Sequence, residues 1–429
     1  MVPTRRVLMI GFAAAAMVAA ACSSSSKSSQ STTTAAPATT AAASSTTAAA
    51  ANVPCSPGAT ATSVKIGLIN WNSGNPAYAS YFHDGTAGAQ ARIDAQNAAG
   101  GVNGRTLSLD VGDDGGDPVM NLATARRLVE GDNVFSIIEF PPSASGSGAY
   151  LEQKGIPVTG WETSPPDYAT RPNFFAYSGP VAGDSVKNPT NTNALFLKQH
   201  GVTNVAFFAG PPPAAIAVSQ ADEEGVKSAG MTVGFSDLGI APGTGDFTAD
   251  AAKTKASGAN GFITELDPIT AVNMLKALVQ AGVSLKGIFT TYDARLVAAY
   301  STQLQGDFVG TEFAPIELNL PGHQQFKAEL AKYQPSAFAG QLALIGWLSA
   351  DLMIQGLQGL GSACPNRAAL ISSLASIHNY DGHGLLNPID FATDRGKPKL
   401  CLFYSVVQGK GFVPVSDKPF CGQAVTPSQ

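Results

Sequence analysis

The chain has 429 residues, 44% of them hydrophobic and 13% charged, with 26 Lys plus Arg against 31 Asp plus Glu and a net charge of −5. It is long enough for two lobes or domains, too apolar to be disordered throughout, and too evenly mixed for a multispan membrane protein. The mildly acidic balance argues against nucleic acid as a partner, because phosphate binding needs a basic field.

In chain order, Arg5 and Arg6 precede an apolar run from Val7 to Ala21, which is short for a membrane-spanning helix. A basic start, a short hydrophobic stretch and small residues before a cut form a secretion signal. The run ends Ala19-Ala20-Ala21-Cys22 and resembles the bacterial lipoprotein signal, with Ala19 where that signal usually has Leu. The resemblance implies that residues 1–21 are removed and that Cys22 carries the lipid. From Ser23 to Pro54, 26 of 32 residues are Ser, Thr or Ala. Such a segment has almost nothing to bury, so residues 22–62 read as a flexible tether.

With Cys22 assigned to the lipid, Cys55, Cys364, Cys401 and Cys421 remain. Four cysteines in an exported protein favour two disulfides, with three possible connectivities. An apolar strand from Leu400 to Val407, a Gly-Lys-Gly turn at 409–411 and a return strand from Phe412 to Val415 bring Cys401 towards Cys421. A staple between those two is the simplest geometry and leaves Cys55 for Cys364. No Cys-x-x-Cys occurs, which argues against metal or redox roles.

After Ser63, short apolar strands alternate with helical stretches. Strands are expected at 64–69, 106–111, 134–139 and 156–159, and helices at 83–98, 118–130 and about 148–154. The alternation restarts with helices at 191–200, 219–229, 247–257 and 269–281 and strands at 205–208, 231–235, 261–264 and 287–290. A strand at 309–314 is followed by helices at 324–332, 341–358 and 366–375, then the terminal hairpin. This order predicts βαβ units and an α/β fold of two similar lobes with parallel sheets covered on both faces.

One stretch is specific. Ile66-Gly67-Leu68-Ile69 is followed by Ser73-Gly74, Gly88-Ala89, Gly100-Gly101-Val102-Asn103-Gly104-Arg105, and Asp113-Asp114-Gly115-Gly116-Asp117-Pro118. It resembles the type I periplasmic solute-binding proteins of the branched-chain amino acid (Leu/Ile/Val-binding) ABC transporter family. The likeness is strong over residues 63–160 and collinear to about 415. It implies two Rossmann-like lobes joined by a hinge, with a ligand cleft between them. Residues 63–184 plus 311–395 would form lobe one, and 185–310 plus 396–421 lobe two. The implied partners are a small-molecule ligand, an ABC permease and, through the lipid, the outer face of the cell membrane, with no cofactor. A ligand sensor that signals without transport is the alternative on the same fold.

The loops that follow the strands' carboxyl ends are where such a fold binds ligands. After the first strand, Tyr81 matches an aromatic position of the family's cleft. After the third, Ser143, with Ser145 close behind, matches the serine that helps hold a ligand carboxylate. After the fourth, Thr163 or Ser164 fits a hydroxyl position, while Trp161 and Glu162 replace small residues. In lobe two, Glu265-Leu266-Asp267 stands where another Tyr is typical, and Pro211-Pro212-Pro213-Ala214 where an aromatic is typical. The acidic partner of a ligand ammonium falls at Tyr292 or Asp293, with Asp293 favoured and Glu162 or Asp267 as helpers. These departures argue against Leu, Ile or Val as the ligand and favour another small polar molecule. Enzyme signatures are lacking: the five histidines show no metal spacing, and neither Gly-x-Ser-x-Gly nor His-Glu-x-x-His occurs.

Overall fold

A computed structural model describes residues 54–74, 76–140, 146–161, 167–178 and 187–427. Cys22, Ser143, Ser145, Glu162, Thr163 and Ser164 lie outside the described residues. The first sheet takes its strands from β1 (Ser63–Asn70), β2 (Thr106–Asp113), β3 (Ser136–Glu139), β4 (Val158–Gly160) and β5 (Phe174–Ala176), in the order β2-β1-β3-β4-β5. All four pairings are parallel. The order reverses between β1 and β3, so the loops after these strands diverge and open a crevice.

The second sheet runs β12-β11-β10-β9-β8-β6-β7, from β6 (Asn204–Ala209), β7 (Thr232–Leu238), β8 (Gly261–Glu265), β9 (Lys286–Phe289), β10 (Phe308–Thr311), β11 (Cys401–Gln408) and β12 (Gly411–Pro414). Strands β6 to β10 pair in parallel, whereas the terminal hairpin β11-β12 joins antiparallel to β10. A short strand β13 (Phe420–Cys421) pairs with β11. The two disulfides expected from the sequence, Cys55–Cys364 and Cys401–Cys421, are both formed.

The strands are buried on both faces, as parallel sheets require. In the first lobe, α1 (Pro76–Ala98) lies on one face of the sheet with α11 (Gln341–Gln358) and α10 (Pro321–Tyr333). The opposite face is filled by Ala125, Leu128 and Val129 from α2 (Pro118–Arg126) and the π-helical turn Arg127–Gly131, and by Tyr150 and Leu151 from α3 (Gly148–Gln153). In the second lobe, Ala194, Phe196 and Leu197 of α5 (Thr192–Gln199) and Val226 of α6 (Pro213–Ser228) pack with Val205, Phe207, Ile263 and Ile288.

Helix α11 is the centre of the first lobe. Every residue from Gln341 to Leu357 except Gln355 is buried, so its pattern is apolar all round rather than amphipathic. It crosses α1 at glycines: a Cβ on Gly88 would stand 1.8 Å from the Ala343 carbonyl oxygen, and one on Gly346 would stand 1.9 Å from that of Gly85. Arg92 of α1 pairs with buried Asp351 of α11 at 2.9 Å. The far end is held by the Gly100–Arg105 turn. Asn103 Nδ2 donates to the Leu357 and Gln358 carbonyls at 3.1 and 3.2 Å, capping orphan groups of the last helical turn. The Arg105 guanidinium donates to the carbonyls of Gly361, Ser362 and Ala363 at 2.8–3.0 Å.

The second motif is also a folding device. Asp117 caps α2 by accepting from the Val119 and Met120 N–H groups, with Pro118 at the first helical position. Asp113 accepts from the Asn72 and Gly115 N–H groups and so ties the loops after β1 and β2 together.

Among the elements not anticipated are α4 (Asp167–Thr170), β5 and α9 (Ala294–Leu304), beside the short strand β13 and a 3-10 turn at Ile316–Leu318. The first two are too short to show a period, and α9 starts at an Asp293 cap that the sequence reading gave to a ligand. Helix α6 begins at Pro213, six residues before the expected start, because Pro is tolerated in a first turn.

His383 lies at the surface, and its imidazole Nε2 donates to the buried Asp351 carboxylate at 2.9 Å. The hydrogen bond to Asp351 raises its pKa above 6.5, against the opposing effect of burial. The sign follows from linkage: this contribution is full below pH 6.5 and is lost as pH rises through the higher folded value. In urea denaturation, the wild type is predicted to exceed His383→Gln in stability most clearly at pH 5.5, with the gap narrowing by pH 8.5.

Candidate functional site

The loops at the carboxyl ends of the two sheets face one another across a cavity of about 400 Å³. The first lobe contributes Tyr81 and Phe82 from α1, and Trp161 after β4. The second contributes Pro212 after β6, Leu266 and Asp267 after β8, and Thr290 and Thr291 after β9. The site therefore sits at the topological switch points where open α/β sheets bind ligands.

Two polar nodes join the lobes at the cavity wall. The Glu312 carboxylate, just after β10, accepts from Trp161 Nε1 at 3.0 Å and from the Tyr177 hydroxyl at 3.3 Å. Its other oxygen lies 3.8 Å from Lys399 Nζ. The Gln341 side-chain carbonyl accepts from the Tyr81 hydroxyl at 2.8 Å and from the buried Tyr292 N–H at 3.0 Å. Gln341 opens α11, so the position of that helix sets this node.

Of the sequence-derived candidates, Tyr81, Trp161 and Asp267 line the cavity. Asp267 also caps α8 (Pro268–Gln280), accepting from the Ile269 and Thr270 N–H groups at 3.2 and 3.1 Å. Tyr292 and Asp293 line a smaller recess beside the main one. The Tyr292 ring is buried, and its hydroxyl donates to Glu317 and accepts from the Ile316 N–H. Asp293 caps α9 and pairs with the Arg295 guanidinium at 2.7 Å. Its charge is thus already matched by a helix start and a cation, which leaves it a poor partner for a ligand ammonium. Ser143, Ser145, Glu162, Thr163 and Ser164 lie outside the described residues.

Three carboxyl groups that the sequence reading did not select line the cavity: Asp222, Glu265 and Glu312. Residues Ile263 and Glu265 stand on one face of β8, the face covered by α5 and α6, and the cavity follows that face inward past Ile288, Gly310 and Leu402. Burial, then the charges of Asp222 and Glu312, push the Glu265 carboxyl up to about 8. Burial likewise pushes Asp222, which accepts from Asn193 Nδ2 at 3.1 Å, up to about 7. The only sequence signal for Glu265 was a departure from the resembled pattern. Asp222 carried none, because its cavity role depends on how α6 lies against β8.

This geometry defines a two-lobed α/β receptor with its binding cavity between the lobes. The chain belongs to the periplasmic binding protein family, whose sequence pattern matches residues 63–411. It is similar to an amino acid binding protein of Pseudomonas aeruginosa, at 26% identity over 362 residues, covering 78% of this chain and 91% of that one. A Leu/Ile/Val/Thr-binding protein of Salmonella typhimurium is 25% identical over 316 residues, covering 65% and 85%. Among solved structures, a fatty acid ABC transporter substrate-binding protein from Thermomonospora curvata superposes with a TM-score of 0.72 at 20% identity, covering 85% and 94%. A branched-chain amino acid ABC transporter protein from Thermus thermophilus with bound valine gives 0.71 at 16%, covering 84% and 97%. At such identities the structures show a shared fold.

Replacing Gln341 by Met keeps its volume but leaves the Tyr292 N–H and the Tyr81 hydroxyl without their acceptor. An unsatisfied buried donor costs about 1–3 kcal/mol. Gln341→Met is predicted to lower the unfolding free energy by about that amount in denaturant titration, with the fold retained by circular dichroism.

Proposed function

We propose that this protein is an extracytoplasmic receptor that captures a small solute in the interlobe cavity and presents it to an ABC importer. The observation that carries the reading is the cavity itself: about 400 Å³, walled by both lobes and fed by strand-end loops, in a chain of the periplasmic binding protein family. That volume suits a solute of amino-acid to small-drug size. Relatives named as amino acid binding proteins and as ABC transporter substrate-binding proteins support the same role. Function here is binding and hinge motion, so no reactive group is required.

In this reading the lobe divisions are 63–184 plus 311–395 and 185–310 plus 396–421. Sheet membership of β10 and β11 and the packing of α10 and α11 on α1 support that division. Tyr81 and Trp161 are walls, and Ser143, Ser145, Thr163 and Ser164 keep their proposed role as donors to a ligand acceptor group. Glu265 replaces Asp293 as the acceptor in lobe two. The residues 22–62 tether and a lipid on Cys22 would hold the receptor at the outer face of the cell membrane near its permease.

Two tests follow. Ala215, in the first turn of α6, lines the cavity. Ala215→Trp fills the space, so small molecules released by denaturing the purified wild type and seen by mass spectrometry should vanish from the variant. An unchanged complement would contradict the cavity's role. In cells, Cys22→Ala should move the protein from the membrane fraction to the soluble one; retention in the membrane would defeat the lipid assignment.

A further inference from the structure

The cavity has an inner arm that the cleft between the lobes does not require. Beyond the strand ends it runs along the α5/α6-facing side of the second sheet. Its walls there are Ile263, Ile288 and Leu402, with Val218 and Ala221 of α6 opposite. Gly310 of β10 lies on this face, and the Cβ of any other residue would stand 3.3 Å from the Tyr404 ring and narrow the arm. The ionisable groups on the arm are Glu265 and Asp222, with the Asn193 amide beside Asp222.

Asp222 is 8% exposed and is oriented by Asn193, whose side-chain oxygen accepts from the Tyr404 hydroxyl at 2.6 Å. Since Asn193 supplies its NH2 group to the carboxyl, Asp222 is presented as an acceptor. Glu265 is half-buried and makes no side-chain hydrogen bond with any described residue. Other charged groups around the cavity are Glu312, Asp267 and Lys399, and Lys399 is turned to Glu312. An anion in the arm would face two carboxyl groups and no cation of its own. An ammonium there would meet two acceptors in an apolar surround, where a charge-assisted hydrogen bond is strongest.

We infer that the inner arm is a subsite for a primary amine on an apolar linker, with the ammonium seated between Asp222 and Glu265. The ligand class is then an elongated organic amine rather than a fatty acid or a compact aliphatic amino acid. This assignment rests on the cavity being the solute site, as proposed above. Because burial pushes Glu265 up to about 8 and Asp222 up to about 7, part of the pair is protonated near neutrality, and seating an ammonium favours ionisation and releases protons to solvent. Amine affinity therefore rises with pH from 6 to 8.5, while Tyr81 on the facing wall and the amine itself stay protonated.

The test uses n-hexylamine, 1-hexanol and hexanoate as probes of one length, titrated calorimetrically into the mature protein stripped of co-purified solute. Hexylamine should bind at least about tenfold tighter than either of the others at pH 8. Glu265→Gln should weaken hexylamine about ten- to a hundredfold, the loss of one charge-assisted bond, and leave hexanol unchanged. The probe ranking is read on the wild type, so it stands even where a variant folds poorly. Hexanoate binding tighter than hexylamine, or no saturable hexylamine binding to the millimolar range, overturns the assignment. Hexanol or hexanoate binding that Ala215→Trp abolishes would leave the cavity's receptor role standing while removing the amine subsite. Binding that Ala215→Trp leaves intact would remove both.

Discussion

The close crossing of α1 and α11 is the constraint on which the site depends. Two helices approach this closely only where side chains are absent, and Gly85, Gly88 and Gly346 supply the gap. The crossing fixes where α11 begins, and the helix begins at Gln341, the residue that accepts from Tyr81 in one lobe and from the Tyr292 backbone in the other. The Asn103 and Arg105 donors fasten the opposite end. A displacement of α11 along its axis would break the interlobe node and the capped end together. The buried Arg92–Asp351 pair resists such a shift further, since separating it would leave an uncompensated charge in the core.

The layered fold was legible in the sequence because its strands are short apolar runs between turn residues, and because α11 is a long apolar stretch without an interruption. The boundaries of α11 were read as they stand, 341–358. Motif residues gave the right segment and a different job. The Gly100–Arg105 turn and the Asp113–Pro118 run point to the ligand-binding family, yet in the structure they hold backbone in place and are not among the cavity-lining residues.

The site was less legible, for physical reasons. A carboxylate's role depends on what already neutralises it, and only three-dimensional neighbours decide that. Asp293 looked available in the sequence, but its carboxylate caps α9 and faces Arg295. Glu265 looked like a departure from a pattern, but it stands at a strand end facing the cavity with no partner among the described residues. Asp222 sits midway along α6 and is indistinguishable in sequence from Glu223 and Glu224 beside it, which engage Ser236 and Lys227 instead. Its burial comes from the packing of α6 against α5 and the sheet.

The acidic lining gives the cavity a polarity that the fold alone does not. With Glu312 bound to Trp161 and Tyr177 and turned to Lys399, its charge is already engaged by neighbouring side chains. The carboxyl groups that line the cavity influence one another electrostatically. The most direct measurement is a crystal structure of the protein as purified from its native host. The account predicts electron density for one small molecule between Trp161 of the first lobe and Glu265 of the second. Density for a co-purified solute elsewhere on the protein, with the interlobe cavity holding only water, would contradict it.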